Sequence, residues 1–202
     1  MLFVSHNLKA IQNLCGKTVL IKNGELSLYS NTEAVISKYL SDTVDKISLS
    51  LSLRTDRSGD GSFRFADFLI NGTDNKIIKC GEKVDIIIKY ETDISIENAD
   101  ISIGFFDVTG ARALYLGNVV AGNPINYLRP GKKIVCSLDK FPLLPGRYTL
   151  NLYCMVNGRL ADWVKEAATI LVREGDFFGS GKLPPNGYGY TAVAQEWKII
   201  DG

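Results

Sequence analysis

From residue 62 onward the chain keeps one rhythm: short segments that alternate apolar and polar side chains, each closed by Gly, Pro, Asn or Asp, with no helical stretch between them. Residues 63–70, 83–90, 99–108, 111–116, 133–138, 148–156, 167–172 and 190–199 read as eight strands on this pattern. Parallel neighbours need a crossover of a dozen or more residues, usually a helix, so strands joined this directly must pair antiparallel. A strand with one apolar face has to bury that face against a second layer, and the expected architecture is an all-β sandwich. The inward sets follow from the period of two: Val84, Ile86, Ile88 and Tyr90; Ile101, Ile103 and Phe105; Leu150, Leu152 and Cys154.

One local signal sharpens the architecture. Leu143-Leu144-Pro145-Gly146-Arg147-Tyr148 has the spacing of a tyrosine corner, in which a Tyr at a strand start bonds back to upstream backbone. The fold expected for residues 62–202 is therefore an immunoglobulin-like antiparallel β-sandwich.

The first 45 residues have a different grain. Leu2-Phe3-Val4 reads as a short strand, residues 7–14 as a helix through Leu8, Ile11 and Leu14, residues 18–21 and 26–29 as strands, and residues 32–40 as an amphipathic helix. Thr32 is the expected N-cap of that helix, with Asn31 as the competing choice. So short an α/β piece cannot cover its own faces. Residues 46–61 alternate Ser with Ile or Leu, then turn to charge and glycine in Arg57-Ser58-Gly59-Asp60-Gly61, and read as a linker.

Charge and composition exclude several classes. Twenty-three Lys and Arg against twenty-two Asp and Glu leave a formal charge of +1, which provides no field for nucleic acid or an anionic membrane. No apolar run reaches the roughly 18 to 20 residues that span a bilayer, and Ser5, His6 and Asn7 interrupt the stretch a signal peptide would need, so a cytoplasmic chain is expected. Cys15, Cys80, Cys136 and Cys154 show no CxxC spacing and are expected as free thiols, although a Cys80 to Cys154 bridge between layers is conceivable. The single histidine, His6, leaves no set of imidazoles for a metal, and no cofactor is expected. Asn71-Gly72-Thr73 fits a glycosylation acceptor but in such a chain reads as a turn. Phe178-Gly179-Ser180-Gly181-Lys182 is no phosphate loop, because position 176 is Asp and Leu183 stands where a magnesium-binding hydroxyl is needed.

The string Leu2-Phe3-Val4-Ser5-His6-Asn7-Leu8, then Ile11, Leu14-Cys15, Val19 to Leu26 and Glu33 to Tyr39, resembles the end of an ABC-transporter nucleotide-binding domain. The resemblance implies that residues 1–45 are a C-terminal remnant of that domain and that His6 is its switch histidine. No Walker A loop, signature sequence or Walker B carboxylate precedes His6, so it is expected to be inactive here and the chain to be no enzyme, while the full-length parent would be an ATPase. Residues 62–202 resemble the C-terminal domain of Wzt-type subunits through Phe65 to Gly72, Gly81-Glu82-Lys83-Val84, Leu144 to Tyr148, Gly175 to Gly181 and Trp197. That resemblance implies non-catalytic recognition of O-antigen polysaccharide at the inner face of the inner membrane, a homodimer, and a membrane subunit of the ABC exporter as partner. The glycine-rich segment 175–190 could hinge a strand exchanged between two copies, with 190–199 the exchanged element, or be a plain connector.

Sugar sites need aromatic faces for pyranose C–H surfaces and fixed amides or carboxylates for hydroxyls. With Leu150, Leu152 and Cys154 inward, the opposite face shows Thr149, Asn151, Tyr153, Met155 and Asn157, and the neighbouring strand adds Ser102, Gly104 and Phe106, with a hollow expected at Gly104. Tyr115, Asp162 and Trp163 could rim it. The expected glycan contacts are Phe106, Tyr153 and Trp163 by stacking and Asn151, Asn157 and Asp162 by hydrogen bonding. Outward aromatics also cover edges and dimer contacts, so a structural dimerisation domain fits the same pattern. A glycan-acting enzyme would draw its carboxylates from Asp107, Asp162, Glu166 and Asp176, which no motif pairs.

Overall fold

The computed structural model describes residues 3–4, 8–22, 24–47, 50–183 and 189–199, with only the backbone described at 8, 9, 22 and 40–47. His6 therefore lies outside the described residues, as do Leu2, Ser5 and Asn7; Phe3 and Val4 belong to no strand.

The N-terminal piece runs α1 (Leu8–Leu14), β1 (Lys17–Lys22), β2 (Glu25–Asn31) and α2 (Thr32–Ile47), with β1 and β2 paired antiparallel. Asn31, not Thr32, caps α2: its Oδ1 accepts the Ala34 amide at 2.8 Å, the bond that satisfies a first-turn donor. The Thr32 hydroxyl is directed instead to the Cys15 carbonyl and lies 2.8 Å from that of Thr18. Among the described residues no helix is long and apolar enough to cross a membrane.

After a 3-10 turn at Leu51–Leu53 come ten strands: β3 (Arg57–Ser58), β4 (Arg64–Ile70), β5 (Ile77–Lys79), β6 (Val84–Glu91), β7 (Ile96–Phe106), β8 (Arg112–Gly117), β9 (Ile125–Leu128), β10 (Lys133–Leu138), β11 (Gly146–Val156) and β12 (Arg159–Arg173). The smaller sheet has the order β10-β6-β4, and the larger β3-β12-β11-β7-β8, with β5 added against β12 and β9 against β7. Pairing is antiparallel except between β5 and β12, which run parallel because β5 reaches that edge from the other layer. The expected inward residues are all buried, and side chains of both sheets form one apolar cluster, so the architecture is an all-β sandwich. The tyrosine corner is formed as its spacing demands, Tyr148 donating from its hydroxyl to the Leu144 carbonyl at 2.9 Å.

Several expectations need correction. Residues 50–61 do not hang free as a linker: Leu51 and Arg54 are buried, and β3 pairs with β12. Gly59 lets this strap lie flat, since a Cβ there would sit 2.3 Å from the Ala161 carbonyl oxygen. Strands β5 and β9, only three and four residues long, carry too little alternation to be read in advance. Residues 159–166, expected outside any strand, begin β12, the polar interruption at Asp162 being neutralised by arginines from elsewhere in the chain.

Residues 190–199 form no strand, only an isolated bridge between Thr191 and Leu143. The start of this tail is clasped: Ala192 donates to the Pro142 carbonyl at 2.7 Å and Leu144 to that of Tyr190 at 2.8 Å. The Tyr190 hydroxyl donates to Asp107 at 2.8 Å. Burial raises the Asp107 carboxyl, but bonds from Thr109, Tyr190 and the Ala111 amide outweigh it and hold the group below the usual range. The same bond raises the Tyr190 hydroxyl.

A depressed acid contributes stability above its unfolded value, about 3.9, and loses it as pH falls through the lower folded value; a raised phenol contributes below about 10 and loses it above. Protection of the Ala192 and Leu144 amides, taken relative to the free-peptide exchange rate at each pH, should therefore be greatest between these limits. Tyr190→Phe should remove the dependence at the acid end.

Candidate functional site

The large sheet turns one face to the core and the other outward, and strand register lays out the outward face in rows. Arg112 stands beside Phe106, which stands beside Thr149, which pairs with Thr169. Tyr115, Gly104 and Asn151 form the next row, and Gly117, Ser102, Tyr153, Trp163 and Ser58 the one after. Neighbours along a row are about 4.8 Å apart and rows about 7 Å apart, so Phe106, Tyr115, Tyr153 and Trp163 lie within an area about 14 Å on a side, wide enough for more than one sugar ring.

The rings lie down on the sheet. The hollow expected at Gly104 is filled: a Cβ there would stand 2.9 Å from Cε2 of Phe106. A Cβ at Gly117 would stand 2.7 Å from the Tyr115 hydroxyl. The two glycines thus allow large rings to lie low, giving a platform where a pocket was expected. Tyr153 and Trp163 meet edge to face at 6.1 Å between centroids.

Two cations missed in the sequence reading sit over these rings. The Arg112 guanidinium lies 5.4 Å from the Phe106 centroid and 5.9 Å from that of Tyr115, and the Lys165 ammonium 4.4 Å from that of Trp163. The Arg112 pairing follows from strand register, which the sequence does not print.

Among the polar candidates, Asn151 is on the face, but its Oδ1 accepts the Glu166 amide at 2.9 Å, where β12 bulges with Glu166 at φ +50°. Arg54 braces this bulge from the strap, donating to the carbonyls of Lys165 at 2.8 Å and Glu166 at 3.0 Å while held by Asp56. Asn157 is at the end of the ladder, in the two-residue Asn157-Gly158 turn with φ values of +48° and +76°, its Oδ1 accepting from Nδ2 of the Asn98 side chain at 3.3 Å. The Asn-Gly pair signals such a turn in the sequence.

Asp162 is not on the face. It stands opposite Cys154 on the core side and is fully buried, because adjacent strand residues point to opposite faces and Trp163 takes the outward place. Its carboxylate accepts from Arg57 at both oxygens, from Arg64 at 3.0 Å and from the Phe65 amide at 2.9 Å. Arg57 also donates to the Leu51 and Phe65 carbonyls at 2.9 and 3.0 Å. One carboxylate therefore joins the large sheet, the strap and β4 of the small sheet.

The remaining carboxylates of the enzyme reading are engaged in separate local structures. Asp107 organises the β7–β8 turn, Glu166 is hydrogen-bonded by the Tyr39 hydroxyl of α2, and Asp176 accepts from the Ser180 and Gly181 amides. Among the described residues no group of three His, Cys, Asp or Glu could hold a metal ion. Cys80 and Cys154 are buried free thiols, so the bridge between layers is not made, and burial pushes both thiols up.

Breaking the Asp162 network leaves Arg57 buried without a counter-charge, which typically costs about 3–5 kcal/mol. Asp162→Ala should lower unfolding stability by that order in chemical denaturation, and Lys89→Ala, which breaks an exposed and solvent-screened pair, far less.

Residues 54–183 match the family model described as the Wzt C-terminal domain. Among solved structures, the crystal structure of the C-terminal domain of wzt superposes with a TM-score of 0.57 at 12% identity, covering 77% of this chain and 99% of that one. A Niemann-Pick type C2 protein from Japanese carpenter ant (TM-score 0.35, 10% identity, 57% of this chain and 98% of that one) is too distant to carry an argument. So is the CARDB domain of PF1109 from Pyrococcus furiosus (TM-score 0.30, 13% identity, 55% and 92%). The comparison with curated proteins gave no match. With the sandwich of the solved relative and a family match over most of its length, this chain belongs to the Wzt C-terminal domain family.

Proposed function

We propose that this chain is the non-catalytic polysaccharide-recognition module of an O-antigen ABC exporter, acting at the cytoplasmic face of the inner membrane. Membership in the Wzt C-terminal domain family supports the role in the exporter. The observation that carries the recognition reading is the outward platform of Phe106, Tyr115, Tyr153 and Trp163 on one sheet face, the first two rings lying low over Gly104 and Gly117. Aromatic planes accept the C–H faces of pyranose rings, and polar groups between them fix hydroxyls. In this reading Phe106, Tyr153 and Trp163 stack on sugar, the side-chain amide nitrogen of Asn151 hydrogen-bonds to it, and Asn157 contributes only if the glycan extends to the hairpin end. Asp162 supports the face from beneath.

Residues 1–45 are read as the closing α/β part of the ATPase domain, with His6 its switch histidine, and the membrane subunit as the partner of the full-length protein. Contact of α2 with β12 through Tyr39 and Glu166 gives that part a seat beside the platform.

A homodimer belongs to the same reading. The tail beyond Ala192 alternates outward apolar residues without a partner strand, Val193, Trp197 and Ile199 being 68%, 88% and 100% exposed. Exchange of this segment between two copies would cover it and present two platforms to one polymer, where weak contacts add through avidity.

Titration with O-polysaccharide followed by protein NMR tests the platform. Phe106→Ala and Tyr153→Ala should each weaken binding by roughly tenfold, given about 1–1.5 kcal/mol per stacked ring. Unchanged affinity in folded variants would remove this face from consideration. Light scattering at micromolar concentration should give a dimer that removal of residues 190–199 converts to a monomer; a monomeric full chain would refute the exchange.

A further inference from the structure

The two sheets part along one side of the sandwich. There β8 and β10 are the free edges of their sheets, and a cavity of about 420 Å³ opens between them into the core. This lies within the range of roughly 300–1,000 Å³ typical of small-molecule sites. Its floor is Ile88, Ile101 and Ile103, Leu116 of β8 lines it on one side, and its outer wall is the inward residues of β10, Ile134, Cys136 and Leu138, which stay only partly buried.

The turn at 118–123 forms the upper rim, and one side chain holds it. Asn118 accepts the Ile101 amide at 2.7 Å and donates to the carbonyls of Ala99 at 3.0 Å and Asn123 at 3.3 Å. It thereby completes the β7 ladder between the end of β8 and the start of β9, where the main chain loops away. The rim leaves Val120 and Val135 74% and 54% exposed.

Among the described residues no Lys, Arg, His, Asp or Glu lines this space. A charged group entering it would lose hydration without gaining a partner, so the buried part of any occupant must be neutral and apolar. Asn118 is engaged in the turn, the Asn123 side-chain amide donates to the Ala121 carbonyl, and the Ser137 hydroxyl donates to Asp85; a hydroxyl-bearing head could bond the Tyr115 hydroxyl at the β8 edge and the Ser137 oxygen, which can still accept, on the outward side of β10. We infer that the cleft between β8 and β10 is a second ligand site, and that it takes the aliphatic chain of a neutral amphiphile. Glycan recognition on the outer face is not a premise of this inference, although Tyr115 borders both places.

The test uses the full chain and N-phenyl-1-naphthylamine, whose fluorescence rises in apolar sites, with displacement by 1-monododecanoylglycerol or by dodecanoate, all below their micellar concentrations. Saturable binding is expected, displaced by the glycerol ester at least about tenfold more readily than by the charged dodecanoate. Cys136→Trp, which fills the cleft from its edge strand, should abolish it. In the unaltered protein, saturating ester should slow maleimide labelling of Cys136 several-fold and leave Cys15 unaffected. The inference is overturned by unprotected Cys136 at saturation, by equal displacement by both amphiphiles, or by undiminished binding in a folded Cys136→Trp variant.

Discussion

Asp162 has no exposed surface, and a carboxylate so placed is tolerable only where positively charged donors and a backbone amide fill its lone pairs. Arg57, Arg64 and the Phe65 amide do so, and they come from the strap and the small sheet while Asp162 belongs to the large one. The residues that satisfy the charge therefore fix how the two layers and the strap sit together. Register follows from it: with Asp162 opposite Cys154 on the core side, Trp163 must face out opposite Tyr153. The outward platform is the reverse side of a buried ion cluster.

The strap extends the same logic. Arg57 spans from Asp162 to the Leu51 and Phe65 carbonyls, and Arg54 braces the β12 bulge at Lys165 and Glu166. That bulge turns Glu166 toward Tyr39 of α2 and holds Asn151 by its carbonyl oxygen. A movement of α2 would thus reach the platform through two hydrogen-bonded residues. Bulges are common where a sheet re-aims side chains for a purpose, and this one lies beside the proposed glycan contacts.

Much of this was legible in the sequence where the signal is local. Period-two alternation placed the inward residues of β6, β7 and β11, and the Pro-Gly-x-Tyr spacing placed Tyr148 against Leu144. What was illegible depends on pairs far apart in the chain. Asp162 read as a surface acid because its partners lie about a hundred positions away, and residues 50–61 read as a linker because their charges looked solvated when they were spent on β12. The Gly104 hollow failed for a related reason: spacing shows a missing side chain, but not that the Phe106 ring two residues on would occupy the space. The tail at 190–199 has strand period and no strand: it pairs only at the bridge between Thr191 and Leu143, and period alone does not say whether a segment meets a free edge.

In the proposed function, the outward face of the large sheet grips carbohydrate because the buried ion cluster holds it in register. Chemical-shift mapping of the full chain with O-polysaccharide is the decisive measurement. Perturbations should concentrate on Phe106, Tyr115, Asn151, Tyr153 and Trp163, with Arg57 and Arg64 unmoved. Perturbations confined to the smaller sheet or to the tail, or none at saturating polysaccharide, would contradict it.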